Sequence, residues 1–310
     1  MPISWRYLRY FVAVADDGQM TRAAERLHIA QPALSQAIAQ LESELGVQLL
    51  ERWSSGIRLT PSGAAFLEKA RPALAAAEDT ALTAQSLARA AEGAVEFGFL
   101  GAPPSLHSPE LLEGFARRNP MAELRFTELQ FPSGSAESWL GAVDVTLAHM
   151  PPCGPEIWVQ PLREEPRVII APKDHPLAGR ESVAVEEALD QEFLGRHPLV
   201  DPHWAGFWSL DDHRGGSPAH TTGDRPANTQ ELFALISAGR GMTTVPACHA
   251  AIVATVLPGV VAIPLADADP VVFSLAGRVD RSSALVESLL DVAREITDGQ
   301  SAAGALPGPC

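Results

Sequence analysis

The sequence predicts an α/β protein in three parts: an all-α head carrying a small two-stranded wing, a long linker helix, and an α/β body. Three patterns support this. Short apolar-striped segments joined by tight connections fill the first 46 residues, Leu and Ala recur every seven residues from 67 to 91, and short apolar runs alternate with helical patterns from Val95 onward. At 310 residues the chain suffices for about two domains, each with its own core.

In the head, Leu8, Phe11, Val12 and Ala15 form one apolar stripe of a helix over residues 4–16, with Ser4 as its expected N-cap and Asp17-Gly18 as its end. Thr21 is expected to cap a second helix through Leu27, whose Ala23 and Ala24 allow close helix contact. A third helix runs from Gln31 to Leu45. Pro32 sits in its first turn, where a missing N–H costs nothing, Leu34, Ile38, Leu41 and Leu45 make its stripe, and Gly46 stops it. Two short helices with a tight connection, the second polar on its outer face, form a helix-turn-helix pattern.

The runs Gln48-Leu49-Leu50 and Ile57-Arg58-Leu59 flank the turn cluster Trp53-Ser54-Ser55-Gly56, which predicts the wing. Thr60-Pro61 then supplies an N-cap and first-turn proline for a helix through Ala91. Leu67, Leu74, Ala81 and Ala88 recur in heptads, as do Ala70, Ala77, Ala84 and Ala91. Such a seam implies a partner helix from a second copy, with Leu67, Ala70, Leu74, Ala77, Ala81 and Ala84 as the dimerisation candidates.

The body reads as strands Val95–Leu100, Glu123–Leu129, Val143–Ala148, Arg167–Ala171, Met242–Val245 and Val271–Gly277. Its helices are Pro109–Arg118, Ala136–Gly141, Glu231–Gly241 and Ser283–Ile296. Strand-helix alternation predicts a mostly parallel sheet. The Gly-, Ala- and Pro-rich segment 298–310 is expected to be a disordered tail.

Charge is unevenly placed. Residues 1–62 balance six arginines against six carboxylates, so the whole net charge of −15 falls on residues 63–310. An acidic body is a poor surface for phosphates, which leaves the head as the place for DNA. The most apolar stretch, Ala247–Ala266, is broken by His249, Pro258 and Pro264, and the opening residues lack a basic region followed by an apolar one. A cytoplasmic protein without membrane contact is expected. Cys153, Cys248 and Cys310 are odd in number and far apart, suggesting neither a disulfide framework nor a zinc knuckle.

Other chemistries find little support. Asp201, His203, Asp211, His213 and His220 lack compact metal-ligand spacing and read as a solvated loop. Gly215-Gly216-Ser217-Pro218-Ala219 lacks the last glycine and the preceding strand of a nucleophile elbow, and Gly239-Arg240-Gly241 is too short for a phosphate-binding fingerprint. No catalytic residue, metal or cofactor is expected.

The stretch Thr21-Arg22-Ala23-Ala24-Glu25-Arg26-Leu27, Gln31-Pro32-Ala33-Leu34-Ser35, Leu49-Leu50-Glu51-Arg52 and Leu59-Thr60-Pro61-Ser62-Gly63 resembles the winged helix-turn-helix of LysR-type transcriptional regulators. Phe115-Ala116-Arg117-Arg118-Asn119-Pro120, Val143-Asp144, His175-Pro176-Leu177-Ala178, Ala238-Gly239-Arg240-Gly241-Met242 and Val245-Pro246 follow in the order of that family's effector domain, so the resemblance covers the whole chain. It implies a winged helix-turn-helix at 1–60, a linker and dimerisation helix at 61–92, and an effector domain at 93–297. That domain would have a type II periplasmic-binding-protein-like fold, with subdomain I at 93–164 and 267–297 and subdomain II at 165–266.

Carried onto this chain, the resemblance implies that Gln31, Pro32, Ser35 and Gln36 face bases or phosphates, that Thr21 and Arg22 begin the helix crossing the backbone, and that Arg52 and Arg58 flank the wing. Gln pairs with adenine, and Ser and Arg with phosphate. Pro32 reads as a helix initiator rather than a base contact. Effector candidates are Ala102, Ser105, Phe131, Ser133, Asp201, His203, Asn228 and Thr229, in a pocket more apolar than is usual in the family. Three departures stand out: Ala30 replaces a capping Ser or Thr, Leu50 replaces Phe, and Gln36 replaces Arg, which removes a charge from the DNA face.

The implied partners are double-stranded promoter DNA, a small-molecule effector, further copies of the chain in a homodimer or homotetramer, and RNA polymerase if the protein activates. The rival reading is a small-molecule-binding protein or enzyme that works through its C-terminal cleft and uses its N-terminal helices only to oligomerise. A pure assembly helix would be apolar where Gln31, Ser35 and Gln36 stand.

Overall fold

The computed structural model describes residues 3–53, 56–101, 108–132, 139–149, 154–215 and 218–301. The chain divides into two compact units, Met1–Ala84 and Gln85–Cys310.

The first unit holds α1 (Trp5–Asp17), α2 (Met20–Arg26), α3 (Gln31–Leu45), and a wing of β1 (Leu50–Trp53) and β2 (Gly56–Leu59), paired antiparallel with Leu50 opposite Leu59. The apolar stripes meet in one core, where Phe11, Leu34, Leu41 and Leu49 are fully buried. Two capping expectations fail. Ser4 sits at the N-cap of α1 without a side-chain hydrogen bond, and α2 begins at Met20 after Gln19, which places Thr21 inside the helix rather than at its cap.

Two contacts fix the wing to the helices. The Glu42 carboxylate at the end of α3 accepts the amides of Leu49 (2.7 Å) and Leu50 (3.0 Å). The Ile57 amide donates to the Gly18 carbonyl at 2.7 Å. Gly56 has φ +133°, and a Cβ there would lie 2.6 Å from the Gly18 oxygen, so only glycine permits this approach.

The linker helix α4 spans Pro61–Glu92. Thr60 caps it, its hydroxyl accepting from the Gly63 amide at 2.9 Å and donating to the Gln48 carbonyl at 2.8 Å. Its first turns correct the dimerisation assignment. Ala70 and Leu74 are buried in the head's own core, Leu67 packs against that core, and Phe66 meets Phe11 edge-on at 5.3 Å. These positions satisfy the heptad by packing against their own chain. Further along the same seam, Ala77 is half-buried and Ala81 and Ala84 are exposed.

The second unit contains β3 (Ala94–Phe99), α5 (Pro109–Arg118), β4 (Glu123–Glu128), β5 (Val145–His149), β6 (Ile157–Glu165), β7 (Arg167–Pro172), α6 (Val185–Leu189) and α7 (Pro202–Trp208). It continues with α8 (Thr229–Ser237), β8 (Thr243–Pro246), α9 (Ala247–Val256), β9 (Val260–Pro264), β10 (Val271–Arg278) and α10 (Ala284–Ser301). One sheet has the order β4-β3-β5-β10-β6 and the other β8-β7-β9.

Among the named strands, the expectation of a mostly parallel sheet holds only for β3 with β4 and β5, with isolated parallel bridges at Val183–Leu265 and from Phe193 to Thr221 and Met242. β10 runs antiparallel to β5 and β6, and β7 antiparallel to β8 and β9. Parallel neighbours need a crossover of a dozen or more residues. Here the chain instead changes sheets at Pro166 and again across residues 265–270.

The core of the first sheet is closed by α5 and α10, through Leu111, Phe115, Leu289 and Ala293 against Val95, Phe97 and Leu275. The second sheet buries Ile169 on one face and Val168 and Ile170 on the other. α10 extends to Ser301, so residues 298–301, expected to be disordered, are helical. Residues 136–138 of the predicted helix Ala136–Gly141 lie outside the described residues; Leu140–Ala142 form a single 3-10 turn.

Asp144 ties the last turns of α4 to this sheet. Its carboxylate accepts from Ser86 Oγ (2.6 Å), Arg89 Nη2 (2.7 Å) and Nε (3.0 Å), and the Glu96 amide (2.8 Å). Burial pushes this carboxyl up, but the donors of Arg89, Ser86 and Glu96 together outweigh burial and hold it below the usual carboxylate range.

Candidate functional site

Two sites emerge, one in each unit. In the head, α3 starts behind Ala30, whose extended backbone (φ −71°, ψ 134°) stands at the N-cap with no side chain to offer the helix amides. Gln31 and Gln36 are exposed on its outer face, and Gln31 Nε2 donates to Ser35 Oγ at 2.8 Å. That bond leaves the Gln31 carbonyl and the Ser35 hydroxyl proton for an external partner. Thr21 and Arg22 are exposed on α2, and Arg52 and Arg58 on the wing, where the Arg58 guanidinium lies 4.7 Å from the Trp53 ring centre.

The head's neutral sum conceals a separation of charge. Arg26 pairs with Asp16 and Asp17, Arg71 with Asp16, and Glu42 is taken by two backbone amides. Arg22, Arg52 and Arg58 have no carboxylate partner among the described residues. Internal donors consume acidic groups while these three cations stay available to phosphate.

In the second unit a cavity of about 530 Å³ lies between the ends of the two sheets. Its aromatic wall is built by α7. The Asp201 carboxylate caps that helix, accepting from the Trp204 amide at 2.8 Å, and Pro202 opens it. This turns Trp204 onto Phe131 (ring centres 4.9 Å apart) and Trp208 edge-on against His149 (4.7 Å). The hydroxyl of Thr244 on β8 donates to the Trp208 carbonyl at 2.8 Å and fixes the helix end. Both indole Nε1 atoms are buried without a hydrogen-bond partner among the described residues. Each such donor costs about 1–3 kcal/mol.

Beneath α7, buried Arg167 donates to the Phe207 carbonyl at 2.9 Å and stacks on the Phe207 ring at 4.1 Å. It also contacts His213 Nε2 at 3.0 Å and Asp212 at 3.3 Å. Asp212, His213 and Asp269 bring one ligand atom each within 4.8 Å of one another. A guanidinium already fills the donor role there, so this cluster reads as an anchor for Arg167. Burial pushes the Cys248 thiol up to about 11, which suits a packed side chain rather than a reactive thiolate; Cys153 and Cys310 lie outside the described residues.

Comparison with known proteins places both units. The family model described as "Bacterial regulatory helix-turn-helix protein, lysR family" matches residues 5–64, and "LysR substrate binding domain" matches residues 88–298. The chain belongs to the LysR family. It is a LysR-type DNA-binding transcriptional regulator with a substrate-binding domain for an effector.

Its relatives carry matching names. The chain is 32% identical over 298 residues to the HTH-type transcriptional regulator TdfR of Cupriavidus pinatubonensis, covering 94% of this chain and 98% of that one. It is 31% identical over 242 residues to the HTH-type transcriptional regulator AlsR of Bacillus subtilis, covering 78% of this chain and 80% of that one. Among solved structures it is similar to full-length CbnR complexed with its target DNA (TM-score 0.51, 25% identity, 95% of this chain and 99% of that chain). Full-length BenM is comparable (TM-score 0.51, 25% identity, 99% and 100%).

Of the effector residues expected for this LysR-type regulator, Phe131 and Thr229 line the cavity. Asp201 and Asn228 do not: both are helix N-caps, Asn228 accepting from the Glu231 amide at 2.9 Å, and they position α7 and α8. His203 is exposed outside the cavity lining. Ala102, Ser105 and Ser133 lie outside the described residues. The segment expected to be a solvated loop is in fact α7 followed by a 3-10 turn at Asp211–His213. His149, Trp208 and His249, which the sequence does not mark as site residues, also line the cavity, as does Trp204 at the end of the candidate loop 196–204. A signal was present for the indoles: Asp201-Pro202 is a cap and first-turn pair, followed by two tryptophans four residues apart.

No helix among the described residues is long and apolar enough to cross a membrane.

Proposed function

We propose that this regulator reads promoter DNA with Gln31, Ser35 and Gln36 of α3 directed at base edges and phosphates. In this reading Thr21, Arg22, Arg52 and Arg58 hold the backbone, and Pro32 only starts the helix. The observation that carries it is the pairing of Gln31 with Ser35 on an exposed face, in a head where Arg22, Arg52 and Arg58 lack carboxylate partners among the described residues. The domain division in this reading is a head at 1–60, a linker at 61–92 and an effector domain at 93–297 with subdomains I and II divided as above; family matches at 5–64 and 88–298 support the two outer parts.

The effector occupies the cavity beside Phe131 and Thr229, and acts by binding two arrangements of the protein with different affinity. Self-association as a homodimer or homotetramer uses the outer part of α4, around Ala77, Ala81 and Ala84, since Ala70 and Leu74 serve the head's own core. The protein works in the cytoplasm without enzymatic activity, and contacts RNA polymerase if it activates.

The test is Ser35→Asp, which sets a carboxylate against phosphate or base acceptors. Loss of DNA binding with unchanged oligomer size and thermal stability supports the reading; unchanged DNA binding removes α3 from the interface.

A further inference from the structure

We propose that the effector is a small aromatic acid bound as its anion. This rests on the effector reading above and adds the chemistry of the ligand.

Among the described residues lining the cavity, only Arg196, Arg225 and Asp211 carry a formal charge at pH 7. Asp211 is already engaged, accepting from Ser209 Oγ at 3.3 Å with Arg214 Nε at 3.6 Å. Arg196 and Arg225 are exposed, and neither has a hydrogen bond or ion pair among the described residues. The backbone brings them side by side. The Gly195 amide donates to the Asp224 carbonyl at 2.8 Å, and each arginine is the next residue along its segment. A Cβ on Gly195 would lie 2.8 Å from the Thr222 carbonyl oxygen and 3.4 Å from Arg225 Cγ, so glycine permits the close pairing. The carboxylate of Asp224, the nearest countercharge in sequence, is held by Arg240 at 2.8 Å, and Arg240 does not line the cavity.

Two arginines on paired backbone segments at one cavity wall, without a countercharge among the described residues and in a chain of net charge −15, are a site for an anion. Their planar donor forks suit a carboxylate. The rest of the ligand is set by the aromatic wall. Phe131, His149, Trp204 and Trp208 offer ring faces and edges to a further ring, and the volume lies within the range that accepts a ligand of one or two rings. Residues 194–208 supply both Arg196 and the two indoles to the same wall, so acid group and ring are recognised by one continuous segment.

The experiment is isothermal titration calorimetry on the full chain with phenylacetate and 2-naphthoate, compared with phenylacetamide and cyclohexylacetate. At least one aromatic acid should bind about tenfold or more tightly than the neutral amide and the saturated acid. The double variant R196Q/R225Q should bring the acid down to the amide's affinity and leave the amide unchanged. Equal affinity for acid and amide, an acid affinity unchanged in the double variant, or no saturable heat with either aromatic acid overturns the proposal. Anisotropy on DNA from upstream of the gene, run on the same samples, separates the two readings. Specific DNA binding without acid binding refutes the ligand class alone, and acid binding without DNA binding refutes the regulator assignment of the head alone.

Discussion

Asp144→Ala removes the acceptor that joins the end of α4 to the first sheet of the effector unit. The carboxylate takes four donors between 2.6 and 3.0 Å, and its side chain is only 5% exposed beside an Arg89 that is 14% exposed. Deleting one member of a buried pair leaves the other charge uncompensated, which costs about 3–5 kcal/mol. The Ser86 hydroxyl and the Glu96 amide lose their acceptor as well, so the upper half of that range is expected. Asp144→Asn keeps the shape and one acceptor oxygen and should lose less.

The dependence on pH follows from the direction of the shift. The folded-state carboxyl lies below its unfolded value, so its contribution is fully present above the ordinary aspartate pKa of about 3.9 and is lost as pH falls through the folded value. The deficit of the variant should therefore be constant near neutrality and shrink in acid. Urea unfolding of the effector unit gives the magnitude. Hydrogen exchange places it, with protection lost first in peptides covering residues 85–96 and 143–147. A loss below about 1 kcal/mol, the range of an exposed pair, would refute the claim that Asp144 anchors the helix.

Three further outcomes are expected. Ala30→Ser restores a cap to α3 at a backbone geometry that already suits one, and should stabilise the head by about 1 kcal/mol in thermal unfolding; no gain would mean that the N-terminal amides of α3 are otherwise satisfied. Leu74→Ala should destabilise the head by about 2–5 kcal/mol, because Leu74 fills the head's own core; an intact head with a dissociated oligomer would return Leu74 to the self-association seam. Arg58→Ala should weaken binding to specific and unrelated duplexes alike and lower the slope of log K against log salt by about 1; a loss confined to the specific duplex would make Arg58 a base reader.

The head was legible in the sequence because its signals are local. Leu34, Ile38 and Leu41 repeat with the helix period, Gly46 terminates the helix in a left-handed cap, and the turn cluster at Trp53–Gly56 separates two strands. The heptad on α4 was legible as a pattern but not in its use, since Ala70 and Leu74 satisfy the same spacing by packing against their own chain.

In the body, strands with uninterrupted apolar runs were readable, while β6 was not: Pro161 interrupts it and Arg163, Glu164 and Glu165 close it. α9 is apolar on all sides and carries no helical stripe. The antiparallel placement of β10 depends on where the chain changes sheets, which no local window records. At the cavity, Phe131 and Thr229 were accessible to motif reasoning, but His149, at the end of β5, and His249, in the first turn of α9, reach the cavity only through tertiary placement.

In the proposed function α3 and the wing read a DNA sequence. Fluorescence anisotropy of the purified chain on DNA from upstream of its own gene, against a scrambled duplex and at two salt concentrations, tests it most directly. Tight binding to the first duplex, weaker binding to the second, and a loss of affinity with salt are the predicted result. Equal and weak binding to both duplexes, in a protein whose head is folded, would contradict it and turn attention to Gln36 and Ala30, where the recognition helix lacks a charge and a cap.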